Sequence, residues 1–306
     1  MSNPEAVYGT IFGNHTCPGH PESQERLDRA LRGIPEGIRV LEPVPAGAGD
    51  VARVHDRKYL DFVKERAGSC PPGRCCYLDP DTYVNGRSYD TAFLAAGASM
   101  MAVDRALHGV HCFALVRPPG HHAGRTYPKG FCIINNAAVA ASYALARCDR
   151  VAIIDWDVHH GNGTQDIFYD SGDVYYCSLH QSPWFPGTGW PHETGTGKGE
   201  GCNLNIPLPG GSGIEEYRLA FEKQIMPAID RFSPDLIIIS AGQDPLHDDP
   251  LGGMNLLPED FGEMTSTVCS GSGTGLALVL EGGYGPSHGD AIRSIFQALS
   301  EDEPGK

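Results

Sequence analysis

Short apolar runs recur along the chain, each closed by glycine or polar residues. Val7–Phe12, Cys112–Val116, Arg150–Ile154, Val174–Leu179, Leu236–Ser240 and Leu276–Leu280 have the length and β-branched content of buried strands. Between them lie stretches of helical character. Pro21–Leu31 carries Pro and Glu in its first turn, Ser88–His108 and Asn135–Cys148 are Ala-rich, and Ile214–Arg231 is amphipathic. Continuous apolar strands alternating with helices predict an α/β protein with a mainly parallel sheet and helices on both faces. No linker interrupts the pattern, so residues 1–306 are expected to form a single domain. Ala67–Gly86 and Trp184–Gly213 read as long loops, the second without strand character until Cys202–Ile206. Loops of that length inside a compact domain usually carry function.

Composition narrows the reading. No apolar run approaches the ~20 residues needed to span a bilayer. Lys plus Arg number 23 against 38 Asp plus Glu, a net charge of −15, which argues against direct binding to nucleic acid. Met1–Thr10 lacks a basic stretch followed by an apolar one, and the ten cysteines contain no CxxC pair. These features predict free thiols in a reducing cytoplasm. Cys70, Cys75 and Cys76 form one local group, read as a loop cluster rather than a metal knuckle.

The candidate chemistry gathers just after the apolar runs. His121 and His122 follow Arg117-Pro-Pro-Gly; Asp155, Asp157, His159 and Asn162 follow Ile154; Asp244 follows Ser240; Glu281 and Gly-Gly-Tyr284 follow Leu280. Ligands of open α/β sheets bind beyond the carboxyl ends of the strands, so four such ends point at one site. If the strand continues through it, Asp155-Trp-Asp157-Val-His159 puts its two acids and its imidazole on one face. That triplet alone fits strand-end capping as well as metal binding. With Asp244 as a third ligand beside Asp157 and His159, it fits a catalytic zinc site with one open position. The tandem His121–His122, on a turn made rigid by Pro118, Pro119 and Gly120, reads as proton-transfer chemistry. Tyr284 could donate to a developing oxyanion, although a Gly-Gly-Tyr turn by itself fits simple packing.

Together RPPGHHA (117–123), GFCIINNAAVAA (130–141), IDWDVHHGNGTQDIF (154–168), FPGTG (185–189), SAGQD (240–244) and LEGGY (280–284) resemble the histone deacetylase superfamily, as does GHPESQERL (19–27). That superfamily includes acetylpolyamine amidohydrolases and has the arginase–deacetylase fold. The resemblance implies zinc-dependent hydrolysis of N-acyl-lysine in a peptide or protein, or of a related acylated amine. It implies Zn2+ on Asp157, His159 and Asp244. His122 matches the general base and acid, and His121 the second, more electrostatic histidine. Asp155 matches the partner of His121, Asn162 the partner of His122, and Tyr284 the phenol that polarises the carbonyl. Gly130, Phe131 and Phe185 match the walls of an acyl-lysine tunnel, and Asp81 a rim acceptor. A structural K+ would draw on Asp155, Asp157, His159, Ser178 and Leu179. The resemblance is compatible with oligomers and gives no reason to expect a membrane or nucleic-acid partner.

Two departures stand out. Gln243 occupies a position where the family carries Phe or Tyr, putting a polar group beside Asp244 at the pocket floor, and His247-Asp248-Asp249 adds acids near the rim. No long insertion of the kind that narrows acetylpolyamine amidohydrolases is present, which favours acyl-lysine over polyamine. An arginase-like binuclear manganese hydrolase would need bridging carboxylates where Val158, His160 and Asn162 stand. A catalytically silent reader of acylated partners would not need the full set of chemical groups.

Overall fold

In the computed structural model, which describes residues 3–271 and 275–302, the apolar runs form one sheet of eight parallel strands. In chain order the strands are β1 (Glu5–Val7), β2 (Arg39–Leu41), β3 (Cys76–Tyr77), β4 (Tyr83–Val84), β5 (Cys112–Ala114), β6 (Val151–Asp155), β7 (Val174–Gln181), β8 (Asn203–Leu208), β9 (Leu236–Ala241) and β10 (Leu276–Leu280). The sheet order is β2-β1-β5-β10-β9-β6-β7-β8, with β3 and β4 forming a separate antiparallel hairpin. The central strands β5, β6, β9 and β10 are buried along their whole length, as expected of a parallel sheet covered on both faces.

The helices are α1 (Gln24–Arg32), α2 (Ala48–Val51), α3 (Arg57–Gly68), α4 (Ser88–Leu107), α5 (Asn136–Ala144), α6 (Asn162–Phe168), α7 (Ile214–Ala220), α8 (Met226–Phe232), α9 (Pro258–Ser270) and α10 (His288–Glu301). Ala-rich α4 and α5 lie against β5, β6, β9 and β10, because small side chains let a helix approach a sheet closely; α1, α9 and α10 pack as a second group. The expected helix Ile214–Arg231 runs from α7 to α8 through one wider π turn, Phe221–Ile225. Pro227 explains the turn: it has no N–H to donate and its ring crowds the carbonyl four residues back. No described helix is long and apolar enough to cross a membrane.

Three expectations are corrected. The first strand ends at Val7 instead of continuing to Phe12, and Thr10–Asn14 forms a 3-10 turn. The stretch Ala67–Gly86 is not only loop, since it holds the β3–β4 hairpin. Cys17 and Cys75 are not free thiols: they form a disulfide, with Cα atoms 5.8 Å apart. Sequence spacing could not have paired residues 58 positions apart.

The turn that carries the histidines is anchored by a buried ion pair. Arg117 Nε donates to Glu22 Oε1 at 2.6 Å and Nη2 to Glu22 Oε2 at 2.7 Å, with both side chains fully buried. Burial alone would raise the Glu22 carboxyl, but Arg117 and His15 outweigh it and hold it well below the usual range. Its contribution to stability is therefore complete above the ordinary glutamate range and is lost as the pH falls through the depressed folded value. Glu22→Ala leaves Arg117 buried and uncompensated. The expected cost is about 3–5 kcal/mol, read from the urea midpoint. A shift below about 1 kcal/mol, the scale of an exposed pair, would contradict this reading.

Candidate active site

Because β5, β6, β9 and β10 are parallel neighbours, the segments that follow them meet beyond one edge of the sheet. β6 stops at Asp155, so Asp157 and His159 do not share a strand face with it, as alternation had suggested; they sit in the following loop. That loop is self-supporting: Asp155 Oδ1 accepts from the Asp157 N–H at 3.2 Å, and Asp157 Oδ1 from the His159 N–H at 2.9 Å.

The loop brings Asp157 and His159 to Asp244. His159 Nδ1 lies 3.1 Å from both Asp157 Oδ1 and Asp244 Oδ2, and one ligand atom from each residue falls within a 4.8 Å sphere of mutual distance. All three line the pocket; the carboxylates are fully buried and His159 is 13% exposed. The space around them is reserved by glycine. A Cβ at Gly242 would stand 2.2 Å from Asp157 Oδ2, and one at Gly282 would stand 2.2 Å from Asp244 Oδ2. The charge balance suits a cation. Burial, then the nearby Asp157, pushes Asp244 up to about 7. Burial acts to lower His159, but the two carboxylates outweigh it and raise it to about 10. A divalent ion would answer the same negative charge that otherwise holds a proton on His159. One nitrogen and two carboxylate oxygens fit zinc.

His121 and His122 lie together beside this cluster, with ring centroids 4.0 Å apart and the rings tilted by 44°. His121 Nδ1 donates to Asp155 Oδ2 at 3.0 Å, and Tyr176 donates to the same oxygen at 2.9 Å. His122 Nδ1 donates to Asn162 Oδ1 at 2.9 Å. The two imidazoles are driven apart. Burial acts to lower His121, but Asp157 and Asp155 raise it well above 6.5. His122 is lowered well below 6.5 by burial first, then by His121 and His159. The Asn162 hydrogen bond acts in the opposite sense, and burial and the neighbouring imidazoles set the direction. Asp155 is raised by burial while His121 and Tyr176 hold it down. Glu281 fixes the backbone of the turn: its Oε2 accepts from the Gly120 and His121 N–H groups at 2.6 and 3.1 Å.

Tyr284 faces the cluster across a cavity of about 260 Å³. Burial raises its phenol well above 10, so it remains a donor. Its backbone is held on both sides. Asp249 Oδ2 accepts from the Tyr284 and Gly285 N–H groups at 2.6 and 2.9 Å, and Arg29 donates to the Tyr284 carbonyl at 2.7 Å. The Arg26 guanidinium sits 4.9 Å from the ring centre and donates to the carbonyls of Gly283 and Glu281.

Gly130, Phe131, Phe185 and Asp81 all line the same cavity. Phe131 has φ +70, a conformation that costs about 1–3 kcal/mol for a non-glycine residue. It is held by its N–H donating to Thr82 Oγ1 at 3.2 Å and by edge contacts with His20 and Tyr284. Phe185 stands edge-on to His122 and His159, with centroids 5.1 and 5.9 Å away. Asp81 Oδ1 accepts from the Gly130 N–H at 3.2 Å. Asp155 and Asn162 stand behind the histidines, outside the lining, as do Ser178 and Leu179; Ser178 pairs with Asp155 across β6 and β7.

Some expectations fail here. Gln243 does not bond to Asp244 or line the cavity; its amide donates to the Ala241 carbonyl at 2.6 Å. Asp248 and Asp249 do not line the cavity; their carboxylates accept from Ser287, Tyr284, Gly285 and Leu251. Sequence reasoning missed Trp184 and Leu251, which line the mouth and are joined by Trp184 Nε1 donating to the Leu251 carbonyl at 3.0 Å. It also missed Arg26, Arg29 and Asp249 as supports of Tyr284. Their only sequence signal was proximity to motifs already noticed.

An open parallel sheet with an acid–imidazole pocket beyond its strand ends has the architecture of an enzyme. The chain belongs to the histone deacetylase family: the histone deacetylase domain profile matches residues 20–299. A probable deacetylase of Archaeoglobus fulgidus is 40% identical over 300 residues, covering 91% of this chain and 81% of the relative. A histone deacetylase-like amidohydrolase of Pseudomonas aeruginosa is 38% identical over 279 residues, covering 88% of this chain and 72% of the relative. The crystal structure of the HDA15 HD domain superposes with a TM-score of 0.92 at 35% identity, covering 99% of this chain and 90% of that one. The expected fold class is that of the family. A similar protein of Oryza sativa is named chloroplastic, so likeness selects no compartment for this chain.

Proposed function

We propose that residues 1–306 form a single catalytic domain that hydrolyses the amide of N-acyl-lysine in a zinc-dependent reaction. The observation that carries this reading is the meeting of Asp157, His159 and Asp244 with His122 and Tyr284 in one cavity. Zinc held by the three donors would supply Lewis acidity and a nucleophilic water near neutral pH. His122 is the proton carrier. Its Nδ1 is engaged by Asn162, so Nε2 serves the pocket, and its low affinity for a proton suits it to take one from water and return it to the departing amine. His121, held protonated between Asp155 and Asp157, adds positive charge where the transition state is negative. Tyr284 donates its phenolic hydrogen to the acyl oxygen. Phe131 and Phe185 offer apolar faces to a slender aliphatic stem, and Asp81 a rim acceptor to the peptide backbone. Asp155, Asp157, His159, Ser178 and Leu179 are proposed to hold a structural K+ through side-chain and backbone oxygens.

The net charge of −15 would steer a basic substrate inward, an attraction that salt should weaken. Both acetyl-lysine peptides and acetylated polyamines satisfy that criterion. The test is hydrolysis by the zinc-loaded protein of an acetyl-lysine peptide, a longer acyl-lysine peptide and an acetylated polyamine. Cleavage of the peptides is expected. Cleavage of the polyamine alone would replace this reading with an acetylpolyamine amidohydrolase.

Asn162→Asp tests the proton carrier. A carboxylate 2.9 Å from His122 Nδ1 would stabilise the imidazolium. Because the base must be neutral to act, the acid limb of kcat/KM should move to higher pH, by about one to three units. An unmoved limb would contradict the role given to His122.

A further inference from the structure

Resting on the proposed function, we propose that Cys17–Cys75 is a thiol–disulfide exchange site, reduced by a dithiol, that sets how firmly the substrate mouth is held. The β3–β4 hairpin has two residues per strand, and a hairpin that short is marginal without outside anchors. Asp81 of the cavity wall lies in its loop, and the disulfide enters at Cys75, one residue before β3. It ties the hairpin to the segment carrying Cys17 and His20. The same two segments meet through Asn85 Nδ2, which donates to the Asn14 and Thr16 carbonyls at 2.9 and 3.0 Å, and through His20 Nε2, which donates to the Asp81 carbonyl at 3.2 Å. From there the contact passes to the wall. His20 packs edge-on against Phe131, and the Phe131 N–H donates to Thr82 of the hairpin. The disulfide is thus the covalent member of a joint otherwise made of hydrogen bonds and ring contacts, those of Tyr83 with His15 and Glu22 included.

The site is open to a reductant. Cys75 is partly exposed and borders a surface cleft of about 560 Å³ with Thr16, Cys70 and Arg74. Cys70 does not serve as an internal attacker, because burial and the neighbouring Cys76 push its thiol up to about 11. In the exchange, a thiolate of the external dithiol attacks Cys75 Sγ and the Sγ–Sγ bond breaks. Cys17 leaves as thiolate and takes a proton. The second thiol of the dithiol then displaces Cys75 from the mixed disulfide. Two electrons and two protons reach the protein, and the dithiol leaves as a disulfide. The reverse exchange, with a disulfide of that class, restores the bond.

The experiment compares the full chain, purified without reductant, before and after dithiothreitol, alongside the Cys17→Ser/Cys75→Ser variant. Eight of the ten cysteines should be free before reduction and all ten after it, with a Cys17–Cys75 cross-linked peptide in the mass map. On reduction, amide hydrogen exchange should accelerate in residues 14–20 and 75–85. KM for an acetyl-lysine peptide should rise by about 3- to 10-fold, the scale of one or two lost contacts, at unchanged kcat. The variant should show the raised KM under both conditions. Ten free thiols at the outset, or unchanged exchange in both segments, would overturn the proposal. So would an equal response of the variant to dithiothreitol, since the reductant would then be acting elsewhere. Exchange and thiol counts do not depend on turnover, so failure of the hydrolase reading would be seen separately, as absent cleavage in both states.

Discussion

Asp157→Ala is expected to lower kcat/KM for an acetyl-lysine peptide by roughly 10³–10⁵-fold, about 4–7 kcal/mol of transition-state stabilisation. The size follows from what the residue touches. Among the described residues its carboxylate is one of two next to His159 Nδ1, it lies 3.7 Å from His121 Nε2, and it accepts the Gly282 N–H at 2.8 Å. Removing it takes away a donor and part of the charge that keeps His121 protonated. Bound zinc should fall from about one per chain to a small fraction. Circular dichroism and gel filtration should be unchanged, because the strands beneath are held by their own apolar packing. Activity within tenfold of the parent, at undiminished zinc content, would remove Asp157 from the site.

His122→Ala should behave differently. It removes the proton carrier without touching a metal donor, so zinc content should stay near one per chain. kcat should fall by about 10²–10⁴-fold with KM little changed, the pattern of an interaction made only in the transition state. His121 is not expected to substitute, since its Nδ1 is committed to Asp155 and its surroundings keep it protonated. A loss of less than tenfold would mean that another group moves the proton. A matching loss of zinc would mean that His122 is structural.

Much of this was legible in the chain before the fold was known, for identifiable reasons. β9 and β10 are buried on both faces, so their apolar runs stand out against any background. The site residues follow such runs, and a parallel sheet must bring those ends together. Part of what escaped depends on partners far apart in sequence. The β6 loop was misjudged because alternation says nothing about where a strand stops. Gln243 and Asp249 were misjudged because both are spent on backbone groups, a destination that residue type does not announce. Arg26 reaches Gly283 across 257 positions, and Cys17 reaches Cys75 across 58. No local pattern encodes either contact.

The central claim is that one metal ion on Asp157, His159 and Asp244 supports hydrolysis of an acyl-lysine amide. The most direct measurement is a zinc titration of chelator-stripped protein, following acetate release from an acetyl-lysine peptide together with bound metal. The account predicts negligible release without metal and activity that rises linearly to a break at one zinc per chain. Release that survives stripping, or a break at two manganese ions per chain with zinc inactive, would contradict it.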